Sequence, residues 1–169
     1  MDILYAPWRE NYTTDTAQGE KGQENATEDI CVFCSLQKDI TADEQSFILK
    51  RYKHCYVILN RYPYNPGHLL VIPYAHKKTL PELEEKTRIE IMETLNKTTE
   101  ILQSELECQG LNIGLNMGKA AGAGIPSHLH WHLLPRWIGD TNFLPTIGQV
   151  KTISSDLNLL YKKLLPCFR

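Results

Sequence analysis

Three histidines that alternate with large apolar residues constrain the fold of this chain more than any other feature. His128, His130 and His132 lie within five positions, although the whole chain has six histidines. Successive side chains of a β-strand point to opposite faces of a sheet, so the alternation predicts a strand with three imidazoles on one face. The apolar residues between them then face a core. Imidazole acts near neutral pH as a base, a nucleophile, a phosphate partner or a metal ligand, so the imidazole face predicts a functional site.

The composition limits the class of protein. A length of 169 residues favours one domain with a sizeable core. The net charge of −2 argues against nucleic-acid binding as the main function. No apolar run approaches the ~20 residues that span a bilayer, and residues 1–9 lack the basic and apolar segments of a signal peptide. We therefore expect a cytoplasmic protein whose partners include neither nucleic acid nor a membrane.

The hydrophobic pattern predicts an α+β fold. Five segments have strand character, namely residues 46–50, 54–60, 68–73, 111–117 and 128–134. The first two read as a hairpin, and the apolar run 68–73 reads as a central strand. Apolar residues from Leu80 to Leu106 recur at helical spacing with Pro81 in the first turn, and residues 153–165 predict a C-terminal helix. The expected architecture is an antiparallel sheet of about five strands with a long central helix and a C-terminal helix.

The pair Cys31 and Cys34 predicts a metal site, a redox site or two thiols that only pack in a core. Five cysteines, an odd number, fit free thiols and a metal site better than a disulfide framework. Two thiolates can bind one soft ion, but a tetrahedral zinc needs two more ligands. A redox pair usually follows a strand and opens a helix, whereas this pair precedes the strands, which favours zinc. Candidate further ligands are His76, just after the third strand, and one histidine of the alternating run.

A glycine-rich loop, residues 118–124, directly precedes the histidine strand. Its backbone N–H groups can cradle a phosphate, although such loops often mark only a tight connection. Lys119 and Arg136 are the nearby cations in sequence, and for Arg136 a surface salt bridge is an equal alternative.

Three asparagines are candidates for ligand contacts. Asn60 precedes a turn rich in proline and glycine, where its amide can cap the turn or bind a ligand hydroxyl. Asn112 and Asn116 point to one face of their strand, and we expect one of them to meet the ligand.

The pattern His128-Leu-His130-Trp-His132-Leu-Leu resembles the signature of the histidine-triad (HIT) family, in which three histidines alternate with hydrophobic residues. Residues 60–73 resemble the ribose-binding turn and following strand of that family, and residues 111–118 its penultimate strand. Cys31-Val-Phe-Cys34 resembles the CxxC of its zinc-containing members. The flanks, residues 5–9 and 134–143, look like the bacterial diadenosine-tetraphosphate phosphorylase-type branch.

The resemblance spans roughly residues 29–140, and together with the polar composition of residues 11–29 it divides the chain into three parts. Residues 1–28 form an N-terminal segment with a polar, flexible loop, residues 29–140 the HIT domain, and residues 141–169 a C-terminal extension with a helix. The resemblance also implies a homodimer.

The resemblance implies roles for individual residues. His130 would be the nucleophile that attacks an α-phosphorus and forms a covalent nucleotidyl-histidine, and His132 would contact the phosphate. Asn60 would hold the ribose. Further substrate contacts are expected from Asn116, Gly124, Ser127 and His132. The implied structural zinc site consists of Cys31, Cys34, His76 and His128.

Several functions compete at this point. The favoured one is a nucleotidyl transferase or hydrolase that cleaves dinucleoside polyphosphates such as diadenosine tetraphosphate, with inorganic phosphate preferred to water as the acceptor. A phosphoramidase-type HIT hydrolase is weaker, because such members place Gly-Gln-Ser before the first histidine, where this chain has Gly124-Ile125-Pro126-Ser127. A single catalytic metal on all three histidines is excluded by their span of roughly 13 Å. A non-catalytic nucleotide-binding module would not need a free nucleophilic imidazole.

Overall fold

The computed structural model describes residue 27 and residues 31–142, 144–148, 151, 153 and 155–169. The predictions for residues 1–9 and for nearly all of residues 11–29 lie outside this part of the chain, so the proposed division into three segments stays a prediction. Among the described residues, none of the helices has the length and hydropathy of a membrane span.

Five antiparallel strands form one sheet, which confirms the predicted α+β class. The strands are β1 (Ile48–Arg51), β2 (Cys55–Leu59), β3 (Leu69–Pro73), β4 (Gly110–Leu115) and β5 (Trp131–Arg136). Their order across the sheet is β1-β2-β3-β5-β4. β1 and β2 form the expected hairpin. Every residue of β2 and β3 is buried, as expected for the apolar run that was predicted to form a central strand.

Helices cover both faces of the sheet. They are α1 (Val32–Lys38), α2 (Asp43–Ser46), α3 (Glu85–Leu106) and α4 (Leu157–Leu164). Shorter 3-10 turns lie at Ile40–Ala42, Leu80–Glu82, Lys119–Ala121 and Leu165–Phe168, and a π-helical turn lies at Leu144–Gly148. α3 and α4 pack on the face that carries Val57, Val71 and Leu133. α1 packs on the opposite face, which carries Ile58 and Leu70.

The two helices predicted from Leu80 and from residue 153 both start later in the structure, because local hydrogen bonds fix their first residues. Thr79 and Glu82 form a capping box around the turn Leu80–Glu82, in which the Thr79 N–H donates to Glu82 Oε2 over 2.8 Å. Leu83 is then extended, so α3 starts at Glu85 and Pro81 belongs to the separate turn. Near the C-terminus the Asp156 carboxylate accepts from the Leu159 N–H at 2.9 Å, which sets the start of α4 at Leu157.

The histidine strand also begins later than predicted. β5 starts at Trp131, so His132 is a strand residue while His128 and His130 precede the ladder. The Leu129 N–H donates to the Lys77 carbonyl at 2.7 Å, which takes this backbone group away from the sheet. The alternation nevertheless persists, because Leu129 still packs into the core under α3.

Candidate functional site

A cavity of about 360 Å³ opens on the α1 side of the sheet, opposite α3. Five of the sequence-predicted site residues line it: Asn60, Asn116, Gly124, His130 and His132. Its apolar lining includes Val32, Phe33, Leu36, Phe47, Ile58 and Leu70. A cavity with an apolar wall and a few convergent polar groups is the usual form of a small-molecule site.

Ser127 stands apart from the other predicted substrate contacts. It is buried and is not among the residues that line the cavity. Its Oγ has no hydrogen-bond partner within the described part of the chain. Ser127 is thus not part of the cavity lining, and its contact with a substrate stays a prediction.

His130 presents an unprotonated ring nitrogen to the cavity. Its Nδ1 lies 2.9 Å from the carbonyl oxygen of His128, and a carbonyl can only accept, so Nδ1 carries the proton. In the neutral ring Nε2 then keeps its lone pair. Burial lowers the pKa of His130, an effect that the bond to the His128 carbonyl partly offsets, so the neutral form is favoured near pH 7. This imidazole has the tautomer that a nucleophile needs.

His132 has the opposite tautomer, which a chain of hydrogen bonds sets from behind. The Tyr64 backbone N–H must donate to His68 Nδ1, 3.1 Å away, so the proton of His68 lies on Nε2. That nitrogen donates to His132 Nδ1 over 2.9 Å. The remaining proton of a neutral His132 is therefore on Nε2, which has no partner within the described residues. Neutral His132 thus has a buried N–H donor on Nε2 that no acceptor among the described residues satisfies.

Burial keeps both histidines of this pair neutral. It lowers the pKa of His68 to about 3 and the pKa of His132 to about 4, and each shift is reinforced by neighbouring imidazoles. A cationic His68 would carry a proton on Nδ1 as well, which the Tyr64 N–H and the Asn60 amide at 3.1 Å both oppose. The described geometry is consistent with the neutral pair alone.

The Asn60 side chain caps its turn and also lines the cavity. Its Oδ1 accepts from the Tyr62 N–H at 3.0 Å, and its Nδ2 donates to His68 Nδ1. One amide hydrogen and one oxygen lone pair remain for a ligand. Both sequence-based alternatives for Asn60 are therefore compatible.

Two cysteines and two histidines meet beside the cavity in a cluster that fits a tetrahedral metal ion. The ligand atoms of Cys31, Cys34, His76 and His128 all lie within 4.8 Å of one another. His128 Nδ1 is 3.4 Å from the Cys31 sulfur, and His76 Nδ1 is 3.2 Å from the Cys34 sulfur. Zinc bonds of about 2.0 Å to nitrogen and about 2.3 Å to sulfur place neighbouring ligand atoms about 3.3–3.8 Å apart in a tetrahedron.

The outer partner of His128 completes the metal-site geometry. His128 Nε2 lies 2.9 Å from the Pro73 carbonyl, to which it donates, and this leaves Nδ1 free to bind a metal.

Cys31 is the N-cap of α1, so the CxxC pair does open a helix, contrary to the sequence-based argument against a redox pair. The two imidazoles beside the thiols favour metal binding instead.

Phe33 connects this cluster to His130. It lies between the two cysteines in sequence, and its ring centroid is 5.5 Å from that of His128 and 5.0 Å from that of His130. The Tyr56 hydroxyl donates to the Phe33 carbonyl over 3.0 Å. The start of α1, which carries the two cysteines, therefore also contacts the ring of His130.

The expected cations lie elsewhere. Arg136 forms an ion pair with Asp140 over 2.6 Å, which confirms the salt-bridge alternative for Arg136. Arg136 also donates to Asn112 Oδ1 over 2.7 Å, so this oxygen of Asn112 already has a partner. Neither Lys119 nor Arg136 lines the cavity, whereas Arg61 does.

Comparison with known proteins decides the family. The HIT domain matches residues 41–137, more than half of the chain. The chain belongs to the histidine-triad family. It is 35% identical over 153 residues to an AP-4-A phosphorylase of Mycobacterium tuberculosis, which covers 90% of this chain and 77% of the relative.

Two further similarities extend the comparison. A bis(5'-nucleosyl)-tetraphosphatase [asymmetrical] of Schizosaccharomyces pombe is 30% identical over 91 residues, covering 54% of this chain and 50% of that protein. A Zn-bound histidine triad family protein from Mycobacterium smegmatis has the same fold, with a TM-score of 0.67, 24% identity, and coverage of 84% of this chain and 95% of that one.

Sequence reasoning missed the fourth histidine of this HIT site. His68 is fully buried and sets the tautomer of His132, whereas the hydrophobic pattern predicted it only as the first residue of a strand segment. Its position was a usable signal, because a histidine directly after Pro66-Gly67 heads an otherwise apolar run. Tyr64 and Phe33, whose rings flank the histidines, carried no comparable signal.

Proposed function

We propose that this HIT protein cleaves dinucleoside polyphosphates at an α-phosphate through a covalent nucleotidyl-His130 intermediate. The observation that carries this proposal is the pair of opposed tautomers, a lone pair on His130 Nε2 beside an N–H donor on His132 Nε2. Their ring centroids are 4.9 Å apart. Similarity to the Mycobacterium tuberculosis AP-4-A phosphorylase supports diadenosine tetraphosphate as the substrate.

In the first step the lone pair of His130 Nε2 attacks the α-phosphorus. A bond forms between Nε2 and phosphorus, and the bond from phosphorus to the bridging oxygen breaks, so that ATP leaves from diadenosine tetraphosphate. The His132 N–H donates a hydrogen bond to the phosphate, where negative charge develops in the transition state. The carbonyl of His128 stabilises the proton on His130 Nδ1 as the ring becomes cationic.

In the second step an acceptor releases the nucleotide. Inorganic phosphate attacks the phosphorus, the bond to Nε2 breaks, and the product is ADP. If water attacks instead, the product is AMP and one proton is released. Splitting the transfer into two displacements lowers each barrier. We favour phosphate because of the similarity to the phosphorylase.

The cavity lining has an apolar part that suits the base of a nucleotide and a polar part that suits its sugar and phosphate. The apolar wall around Phe33 suits a base. The amide hydrogen and oxygen lone pair that Asn60 has left, together with the Asn116 side chain, suit a sugar. Gly124 is exposed and lines the same cavity as His130 and His132, so a phosphate can approach its backbone there. A contact of Ser127 with the substrate stays a prediction, because its hydroxyl is buried outside the lining.

We assign zinc to the cluster of Cys31, Cys34, His76 and His128. Four protein ligands close the coordination sphere, so bound zinc would act structurally, holding α1 against the histidine segment. The described similarity to a Zn-bound histidine triad family protein supports this choice of metal.

A homodimer is part of the same proposal. β4 lies at one edge of the sheet, and Asn112, Ile113 and Gly114 on it are exposed. An exposed edge strand can pair with a second strand, and the edge of another copy is complementary to it. A cytoplasmic location stays a prediction from sequence.

Product analysis tests the proposed reaction. The zinc-replete protein is incubated with diadenosine tetraphosphate over a range of phosphate concentrations, and the nucleotides are separated by ion-exchange chromatography. We expect ATP plus ADP, formed faster as phosphate rises. ATP plus AMP at a rate independent of phosphate would identify a hydrolase. Turnover of an adenosine phosphoramidate alone would identify the phosphoramidase, and no turnover of either would contradict an enzymatic role.

A further inference from the structure

Four aromatic rings form a row along the cavity. Phe33 contacts His130 at a centroid distance of 5.0 Å, His130 contacts His132 at 4.9 Å, and His132 contacts Tyr64 at 6.0 Å. The row begins at a buried ring, because Phe33 is 6% exposed, and ends at an open ring, because Tyr64 is 50% exposed. The reacting histidines lie between the two ends.

The outer ring is stacked on the site and held in place. The planes of Tyr64 and His132 are inclined by 17°, and a second contact joins Tyr64 to His68 at 4.8 Å. The Tyr64 N–H donates to His68 Nδ1, and the next residue, Asn65, is buried with its amide donating to the Pro135 carbonyl over 2.8 Å. Tyr64 therefore offers a half-exposed aromatic surface whose backbone is already ordered.

The row has a buried end at Phe33 and an exposed end at Tyr64, and this difference predicts where the two halves of a dinucleotide lie. If the reaction proposed above is correct, one base occupies the apolar wall beside Phe33, and its phosphate lies at His130. In-line attack by Nε2 sends the leaving nucleotide away from His130. The first base takes the Phe33 end of the row, so the end at His132 and Tyr64 is the one left for the leaving nucleotide.

We propose that Tyr64 is the stacking platform for the base of the leaving nucleotide. An aromatic ring stacks on any nucleobase, because every base has a π-face, and such stacking needs no hydrogen-bond match. A ligand with a second base gains this contact, and a ligand with the same phosphates but one base does not. The platform would thus favour dinucleoside polyphosphates over mononucleotides. This inference rests on the proposed function.

Two substrates with equal numbers of phosphates test the platform. Diadenosine tetraphosphate and adenosine tetraphosphate are compared on the wild type, Tyr64→Leu and Tyr64→Phe, with kcat and KM measured separately. We expect Tyr64→Leu to lower kcat/KM for diadenosine tetraphosphate roughly tenfold, mainly through KM, and to change the value for adenosine tetraphosphate less than twofold. Tyr64→Phe keeps the aromatic face and should behave as the wild type.

An equal loss on both substrates would overturn the inference, since Tyr64 would then act only through His132. No loss on either substrate would also overturn it. Calorimetric binding of both ligands to His130→Ala, with and without Tyr64→Leu, supplies a readout that needs no turnover. If the wild type cleaves neither substrate, the proposed reaction fails, and this binding comparison still decides the platform.

Discussion

His130 and His132 offer different groups to the cavity because different backbone atoms lie behind them. A carbonyl must accept and an N–H must donate, so the His128 carbonyl and the Tyr64 N–H set the two tautomers. Neither partner is a catalytic side chain. The two histidines therefore differ in tautomer because the main chain around them differs.

Removal of the nucleophile should abolish turnover without unfolding the protein. We expect His130→Ala to lower kcat on diadenosine tetraphosphate by about a thousandfold or more. The matched control is His54→Ala, which removes an imidazole at the β1–β2 connection outside the cavity. Steady-state kinetics and circular dichroism of both variants check this, and near-normal turnover by His130→Ala would rule out the assigned nucleophile.

The buried His68 should make the protein less stable in mild acid. Its pKa is about 3 in the folded protein and about 6.5 in the unfolded chain. As pH falls below about 6.5, His68 becomes protonated in the unfolded chain but stays neutral in the folded protein. The free energy of unfolding therefore drops by up to about 1.4 kcal/mol per pH unit. The loss levels off near the folded pKa.

Urea unfolding between pH 7 and pH 5 measures this dependence. We expect the slope of stability against pH to be shallower in His68→Gln than in the wild type, whatever the absolute stability of the variant. Identical slopes for the two proteins would show that His68 is not a neutral buried imidazole.

The turn before β3 depends on one glycine. Gly67 has φ +73°, and a Cβ added there would lie 2.4 Å from Leu106 Cδ1 and 3.3 Å from Pro135 Cγ. The turn thus packs directly on the end of α3 and on β5. We expect Gly67→Ala to reduce the free energy of unfolding by about 2 kcal/mol or more through strain and overpacking.

The matched control for that change is Gly110→Ala, where an added Cβ meets nothing within 4 Å and φ is not positive. Chemical denaturation of both variants gives the comparison. Equal stabilities for the two would contradict the close approach of the turn to α3. Activity of Gly67→Ala should fall as well, because the same turn carries Tyr64 and His68.

The start of α1, which carries Cys31 and Cys34, should depend on metal for its stability. We expect about one zinc per chain by elemental analysis, and we expect Cys34→Ser to cost on the order of 3 kcal/mol or more, as does chelation. Cys167→Ser removes a thiol outside the cluster and should retain both zinc and stability. Metal-free wild type from zinc-rich expression would refute the assignment.

Elements with a strong periodic signal were predictable, and their ends were not. The apolar run 68–73 contains β3, and the alternation of histidines with apolar residues assigned the correct faces. The starts of α3 and β5 depend on a capping box and on a bond to the Lys77 carbonyl, which periodicity does not record. The role of His68 was missed for a similar reason, since its partner is 64 residues away.

For the whole molecule, the exposed edge strand predicts self-association. Ile113 on β4 is 46% exposed, and its strand has a partner on one side only within the described sheet. Sedimentation equilibrium should give twice the chain mass of 19.4 kDa. We expect Ile113→Lys to weaken the dimer, while Leu159→Lys, at a 69% exposed position on α4, should not. A monomeric wild type at micromolar concentration would contradict the homodimer.

Rapid quenching detects the covalent nucleotidyl-His130 intermediate itself. Diadenosine tetraphosphate labelled at the α-phosphorus is mixed with excess enzyme, stopped in alkali, which preserves a phosphorus–nitrogen bond to histidine, and digested for peptide mapping. We expect the label on the peptide that contains His130, and we expect it to be lost when the same sample is quenched in acid. A burst of ATP release with no label on the protein in alkali would contradict covalent catalysis by His130.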